Sequence, residues 1–171
     1  MRRLRRVCYA RAMMQSLPPA GGARSQPAAL VVTPSTAAWA GWDGAVETLT
    51  HSAARARAAL ETPVVCHFPA TALRLGLEDF PAHDALELFA FARPATFCLP
   101  TVRGLAEALA LPLPASTEAE ARTLLAVISA LLDEIADRAH REPPETQALG
   151  LAMHHGGWSW GAAVLQALGI A

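Results

Sequence analysis

The sequence contains no lysine and no asparagine among its 171 residues, so all 14 of its basic side chains are arginines. A chain without lysine cannot form a Walker A phosphate loop, because that loop needs a lysine to reach the phosphates of a nucleotide. This excludes a P-loop ATPase motor within the chain. The composition is also typical of a GC-rich genome, so the arginine content alone does not indicate phosphate binding.

The chain has no excess of charge of either sign, since 14 basic and 15 acidic side chains give a formal net charge of −1. A neutral protein is not attracted to nucleic acid as a whole, and any such binding requires a local basic patch. Long apolar runs are also missing, because arginine, proline or glutamate interrupts each run before the roughly 20 residues of a membrane span. These features predict a soluble, cytoplasmic protein.

Cysteines are few and far apart, and they lie at positions 8, 66 and 98. They lack the paired spacing of a zinc or cluster site, and an odd number does not suit a disulfide framework. The sequence therefore predicts buried thiols in a reducing compartment and no metal ligands.

The first 27 residues contain six arginines, and no acidic residue occurs before Asp43. Prolines and glycines at 18–22 add a flexible composition, which predicts a disordered tail over 1–27 and one domain over 28–171. The tail is typical of a solvated extension or an early start codon, a basic arm for nucleic acid, or an arginine-rich targeting peptide. It lacks the long apolar region of a secretory signal.

Short apolar, β-branched segments separated by turn residues follow the tail. They predict a meander of three strands at 30–32, 37–40 and 46–49, with a turn at 41–44. Thr50 or Ser52 can cap a helix that continues to Glu61, and residues 63–67 predict a buried strand that ends at His67.

The rest of the chain shows apolar residues at the three and four spacing of helices. The predicted helices are 70–77, 84–92, 101–109, 117–140, 145–155 and 161–168. In the fifth of the seven predicted helices, the apolar stripe consists of Leu124, Leu125, Ile128, Leu131, Leu132 and Ile135, and we expect it to be core. The order of elements predicts an α/β fold of the ribonuclease-H-like kind, with a small mixed sheet and a helix-rich C-terminal half.

Three segments resemble known proteins, and they read CHFPAT at 66–71, DALELFAFARP at 84–94 and PTVRGLA at 100–106. Their order resembles the DnaQ-like 3′–5′ exonuclease fold. Their residues more closely resemble the N-terminal region of bacterial DinG-type ATP-dependent DNA helicases. This resemblance extends over about residues 28–171. The segment WSWGAAVL at 158–165 resembles the end of the same region.

The exonuclease pattern implies acidic metal ligands that this chain does not have at the corresponding positions. The first strand carries no acid where the family has Asp-x-Glu, and His67 is not followed by the expected Asn and Asp. Only Asp84 and Glu87 match. Because two-metal chemistry needs several converging carboxylates, the resemblance implies a degenerate domain without catalytic, cofactor or metal residues.

Positions that match the family sequence motifs are expected to have structural roles. They are His67, Asp84, Glu87, Arg93, Gly104, Trp158 and Trp160. His67 can also be read as a general base and one tryptophan as a platform for a base, but neither has an evident partner in the sequence. His154 and His155 are adjacent on a helix and face different directions, so a helix end capped by glycine explains them better than a metal site.

The resemblance predicts a non-catalytic accessory domain, or fragment, of a helicase in DNA repair or replication. Its partner would be a helicase motor domain in cis or in trans, and ATP and magnesium would bind only to that motor. Weak, salt-sensitive binding of single-stranded DNA is expected if Arg55, Arg57 and Arg74 face one side. The alternatives are a free-standing protein-interaction module that reuses the fold and a live nuclease with relocated ligands.

Overall fold

The computed structural model describes residues 26–139 and 144–170. Most of the predicted tail, together with Cys8 and His140, lies outside the described residues. Within them the chain is a mixed α/β structure with five strands and seven helices. No helix in this part of the chain combines the length and the hydropathy needed to cross a membrane.

The five strands form one sheet. They are β1 (Ala29–Val32), β2 (Ala37–Ala40), β3 (Val46–Leu49), β4 (Val64–Val65) and β5 (His83–Asp84), in the spatial order β3-β2-β1-β4-β5. β2 pairs antiparallel with both β1 and β3, whereas β4 is parallel to β1 and β5 is parallel to β4. The predicted meander and the predicted small mixed sheet are thus confirmed, and β2 alone runs against the other strands.

Seven helices follow the meander or alternate with the last strands. They are α1 (His51–Ala58), α2 (Phe68–Leu75), α3 (Ala85–Ala92), α4 (Val102–Ala108), α5 (Thr117–Ala139), α6 (Pro144–His155) and α7 (Gly161–Ala167). Of the two candidate caps of α1, Thr50 accepts a hydrogen bond from the amide of Ala53. α1 ends at Ala58 rather than at Glu61, and α2 ends at Leu75, followed by the cap residue Gly76, whose φ of 63° suits glycine.

The sequence did not predict β5, whose two residues are polar. The amide of His83 donates to the carbonyl of Pro63 at 2.9 Å, and Val65 lies opposite Asp84 in the ladder. Asp84 is therefore not the first residue of a helix, as predicted, but ends β5 and caps α3. Such a strand depends on its neighbour in the sheet and leaves no alternating pattern in the sequence.

The sheet separates two hydrophobic clusters, because successive residues of a strand face opposite sides. On one side, Ala29 and Val31 of β1 pack with the apolar faces of α3, α4, α5 and α7. On the other side, Leu30 and Val32 pack with α1 and α2. The predicted stripe of α5 is confirmed as core, with five of its six residues buried and Leu132 partly buried.

Candidate functional site

An open groove of about 480 Å³ lies where β4 and β5 end and α2 and α3 begin. The carboxyl edge of parallel strands is the usual place for a ligand in an α/β sheet. The groove is lined by His67, Phe68, Pro69, Ala82, Asp84, Leu86, Glu87 and Ala90. Three of the positions singled out from the sequence, His67, Asp84 and Glu87, therefore lie on one surface.

The carboxylate of Asp84 joins the beginnings of two helices. Its Oδ1 accepts from the amide of Leu86 in α3 at 2.8 Å, and its Oδ2 accepts from the amide of Phe68 in α2 at 2.7 Å. Both amides belong to the first turn of a helix, where N–H groups lack a partner within the helix and the helix dipole favours negative charge. With Asp84 only 8% exposed, its carboxylate serves as an internal anion for both helices.

Trp158 and Trp160 form hydrogen bonds with the segment that contains Asp84 and Glu87. Trp160 is buried and donates its indole N–H to the backbone carbonyl of Asp84 at 2.6 Å, while Trp158 donates to Oε2 of Glu87 at 2.9 Å. The His83 ring lies 4.9 Å from the Trp160 ring, and its Nδ1 is buried without a hydrogen-bond partner in the part of the chain that the structure describes. This contact joins the start of α7 to the sheet edge.

Cys66 directly follows β4 and is the most perturbed titratable group near the groove. Burial raises the pKa of its thiol to about 12, and the negative charges of Asp84, Cys98 and Glu120 add to this effect, while Arg74 opposes it. Burial also raises the pKa of Cys98. Because the thiolate is the reactive form, Cys66 is a protonated, unreactive thiol at neutral pH. The sequence alone gave no sign that Glu120 lies near Cys66.

His67 lies at the N-cap position of α2, but its side chain does not cap the helix. Its ring lines the groove, while its carbonyl accepts from the hydroxyl of Thr71 at 3.0 Å. The helix is capped instead by the carboxylate of Asp84, which comes from β5. His67 thus leaves its imidazole facing the groove without a capping role.

Arg93 and Gly104 lie away from the groove and contact other helices. Arg93 donates to Glu134 of α5 at 2.9 Å and to the carbonyl of Ala108 at 2.6 Å, which fastens α3 to α4 and α5. At Gly104 a Cβ atom would lie 2.4 Å from the carbonyl oxygen of Leu99. Glycine is therefore needed where α4 approaches the preceding loop.

The three candidate nucleic-acid residues differ in their surroundings. Arg57 forms ion pairs with Glu47 at 3.2 Å and with Glu61 at 3.1 Å. Arg55 and Arg74 are exposed and donate to backbone carbonyl groups instead. The charge of Arg57 is thus neutralised, whereas the other two keep theirs.

The described residues contain no group of three or more His, Cys, Asp or Glu side chains placed to hold a metal ion. At the end of β1, Val31 and Val32 are buried apolar residues. Instead, Arg74 and His51 bind the carbonyl groups of Val32 and Thr33. His51 was missed from the sequence, because nothing in its neighbourhood distinguishes it from any other residue of a first helical turn.

Comparison of the chain with protein-family models, with the curated proteins and with the solved structures finds no match in any of the three. The function is therefore argued from the geometry of the groove and its surroundings. That geometry uses carboxylates and indoles to hold helices together, and it leaves Arg55 of α1 and Arg74 of α2 exposed.

Proposed function

We propose that residues 28–171 form a non-catalytic, exonuclease-like accessory domain of a DinG-type ATP-dependent DNA helicase. A ribonuclease-H-like layer is expected to begin with a three-stranded meander, continue through a crossover helix and add a parallel strand. The sheet has this order, with α1 between β3 and β4 and with β4 parallel to β1. This agreement supports the proposal together with the resemblance of residues 66–71, 84–94, 100–106 and 158–165.

The observation that supports the proposal is that the carboxylates of Asp84 and Glu87 are engaged in hydrogen bonds within the protein. These are the two acids that match the exonuclease sequence pattern. Asp84 accepts from two backbone amides, and Glu87 accepts from the indole of Trp158. Two-metal catalysis needs carboxylates that are free to hold cations beside a substrate. A carboxylate that caps two helices and another that anchors an indole favour a structural role for this edge of the sheet.

In this proposal the domain acts by packing against a helicase motor, in cis or in trans. The motor would supply the ATP and magnesium sites, since a chain without lysine cannot build a Walker A loop. The test is sedimentation of the full chain with a purified DinG-type helicase core. We expect a complex, and the absence of a complex would overturn the helicase assignment.

A nuclease assay tests the non-catalytic part separately. The full chain is incubated with 5′-labelled single-stranded DNA and with magnesium or manganese, next to the Glu87→Gln variant. We expect no metal-dependent shortening by either protein. Shortening by the original chain that is lost in the variant, at unchanged thermal stability, would show a live nuclease.

A free-standing protein-interaction module is the second candidate, and exposed apolar residues favour it. Leu149 and Leu151 of α6 are 54% and 42% exposed, and Ile170 after α7 is 39% exposed. A contiguous exposed apolar patch marks a protein contact, and each of these side chains is available to contribute to one. Sedimentation distinguishes the two candidates, because an interaction module without a helicase partner leaves the helicase core unbound.

A further inference from the structure

Two side chains from different helices meet the end of β1. Arg74 of α2 donates its Nη1 to the carbonyl of Val32 at 3.0 Å, and Nε2 of His51 in α1 lies 2.8 Å from the carbonyl oxygen of Thr33. The two carbonyl groups belong to consecutive residues. This end of β1 therefore brings α1 and α2 side chains of basic character to one place.

Arg55 joins this group from the next turn of α1. It lies four residues after His51 and so occupies the same helix face. Its Nε donates to the carbonyl of Leu75 at 2.9 Å, and its Nη2 donates to that of Gly76 at 2.8 Å. A Cβ atom at Gly76 would lie 2.6 Å from Nη2, so glycine makes room for the guanidinium. Arg55 is thus fixed beside the backbone that directly follows Arg74.

The charges of Arg55 and Arg74 are not neutralised by their partners, because a carbonyl group carries no net charge. Within residues 26–139 and 144–170, neither arginine forms an ion pair. Both are exposed, and a guanidinium has five N–H groups, of which the carbonyls use only some. Two immobilised cations therefore present free donors to solvent.

We infer that Arg55 and Arg74, beside the contact of His51 with Thr33, form a phosphate-binding site for the backbone of single-stranded nucleic acid. A guanidinium offers paired N–H groups that match the oxygens of a phosphate. Fixing it on a carbonyl beforehand lowers the entropy lost on binding. The inference rests on the proposed function only for the choice of nucleic acid as the source of the phosphate.

Arg57 provides a matched control in the same helix. It lies two residues after Arg55, but its guanidinium is held by Glu47 and Glu61 and stands 4.4 Å above the ring of Trp39. Its removal deletes the same formal charge, but one that two carboxylates already neutralise. Glu78, an exposed acid two residues after Gly76, offers the opposite control, because its neutralisation removes a repulsive charge near the site.

The experiment is fluorescence anisotropy of a labelled oligothymidylate of about 20 nucleotides with the full chain, over a range of salt concentrations. We expect Arg55→Gln with Arg74→Gln to weaken binding at least tenfold. Because each phosphate contact to a single strand contributes about 0.7 to the slope of log affinity against log salt, the double variant should lower that slope by about 1.4. Arg57→Gln should change affinity less than twofold, and Glu78→Gln should increase it.

Unchanged affinity and slope in the double variant would overturn the inference and assign the binding to other arginines, as would no binding at low salt. If the glutamine variant is poorly folded, Arg55→Lys with Arg74→Lys serves as the second test. This variant keeps both charges, so it should retain part of the affinity. Competition by inorganic tripolyphosphate distinguishes a preference for free polyphosphate from one for the backbone. None of these variants alters the groove, so sedimentation with the helicase core tests the proposed function independently.

Discussion

A single carboxylate illustrates how the same residue type can serve chemistry or architecture. Asp84 accepts two amide hydrogen bonds from helices that are separated in the sequence, and its backbone carbonyl accepts a third from Trp160. Without the carboxylate the amide of Phe68 would lose its acceptor, whereas the amide of Leu86 would keep a longer bond of 3.3 Å to the carbonyl of Cys66. Buried donors without acceptors are costly, so the side chain contributes to stability.

We expect Asp84→Ala to lower the free energy of unfolding by about 1 to 3 kcal/mol, because it uncaps α2 and α3 together. Urea unfolding followed by far-UV circular dichroism measures this change. Asp79→Ala removes an exposed acid of the preceding loop and serves as the control, with little expected effect. Equal stability of the two variants would mean that the amides find other acceptors.

Thiol reactivity tests the environment of Cys66. Since its pKa is raised to about 12 from an ordinary value of 9.0, little thiolate forms at neutral or mildly alkaline pH. We expect iodoacetamide to label Cys66 in the folded protein much more slowly than in the guanidinium-unfolded protein, as followed by peptide mass spectrometry. Labelling at the same rate in both states would show that the thiol is neither buried nor protonated.

At the scale of elements, β5 and the start of α7 are joined where the ring of His83 packs against that of Trp160, at an interplanar angle of 44°. Burial lowers the pKa of His83 below its ordinary value of 6.5, although the backbone of Ser159 opposes this shift. The unfolded chain therefore binds a proton at higher pH than the folded chain does. Stability that is present above about pH 6.5 is then lost as the pH falls towards the folded-state pKa.

We expect His83→Gln to reduce the loss of stability between about pH 7 and about pH 5.5, a window in which most carboxylates stay ionised. Urea unfolding of both proteins at the two pH values gives the difference. Because the two proteins differ only at residue 83, the comparison isolates the contribution of His83. The same pH dependence in the variant would place the responsible proton elsewhere.

The elements that sequence patterns predicted are those whose pattern is local. α5 shows its stripe over 23 residues, and the meander shows apolar segments separated by turns. β5 could not be predicted, because His83 and Asp84 are a strand only beside Val64 and Val65. For the same reason the sequence placed Asp84 in a helix. One of the two amides that its carboxylate caps belongs to Phe68, which lies 16 residues earlier in the chain.

The site was partly predictable in the same sense. The sequence singled out His67, Asp84 and Glu87 as positions of structural role, but it did not predict that they line one groove. The sequence grouped Arg57 with Arg55 and Arg74, because it does not show that Glu47, on another element, neutralises Arg57. Contacts between distant elements decide which charges stay available, and a single sequence does not encode them in any short pattern.

At the scale of the whole molecule, one sheet is shared by two cores. Trp39 belongs to the cluster under α1 and α2, and Trp160 belongs to the cluster under α5. Alternate residues of β1 contribute to both clusters, so neither can come apart without disturbing the strand between them. This arrangement favours a single cooperative transition.

We expect variants that keep only Trp39 or only Trp160, with phenylalanine at the other tryptophan positions, to unfold cooperatively. In each variant the urea midpoint from fluorescence should equal the midpoint from circular dichroism. A fluorescence midpoint below that from circular dichroism in one variant would show that its core melts first. Since phenylalanine replacement changes stability, the comparison is made within each variant and not between them.

The contacts of Trp158 and Trp160 also bear on how the protein is made. Their partners, Glu87 and Asp84, precede them by 71 and 76 residues. At a synthesis rate of about 5 to 20 residues per second, roughly 4 to 15 seconds pass between translation of Asp84 and of Trp160. During that interval the nascent β5 and α3 lack both indoles, and their apolar faces are open to chaperones. The indole contacts that support this edge of the sheet are thus translated late, long after the meander has all its residues.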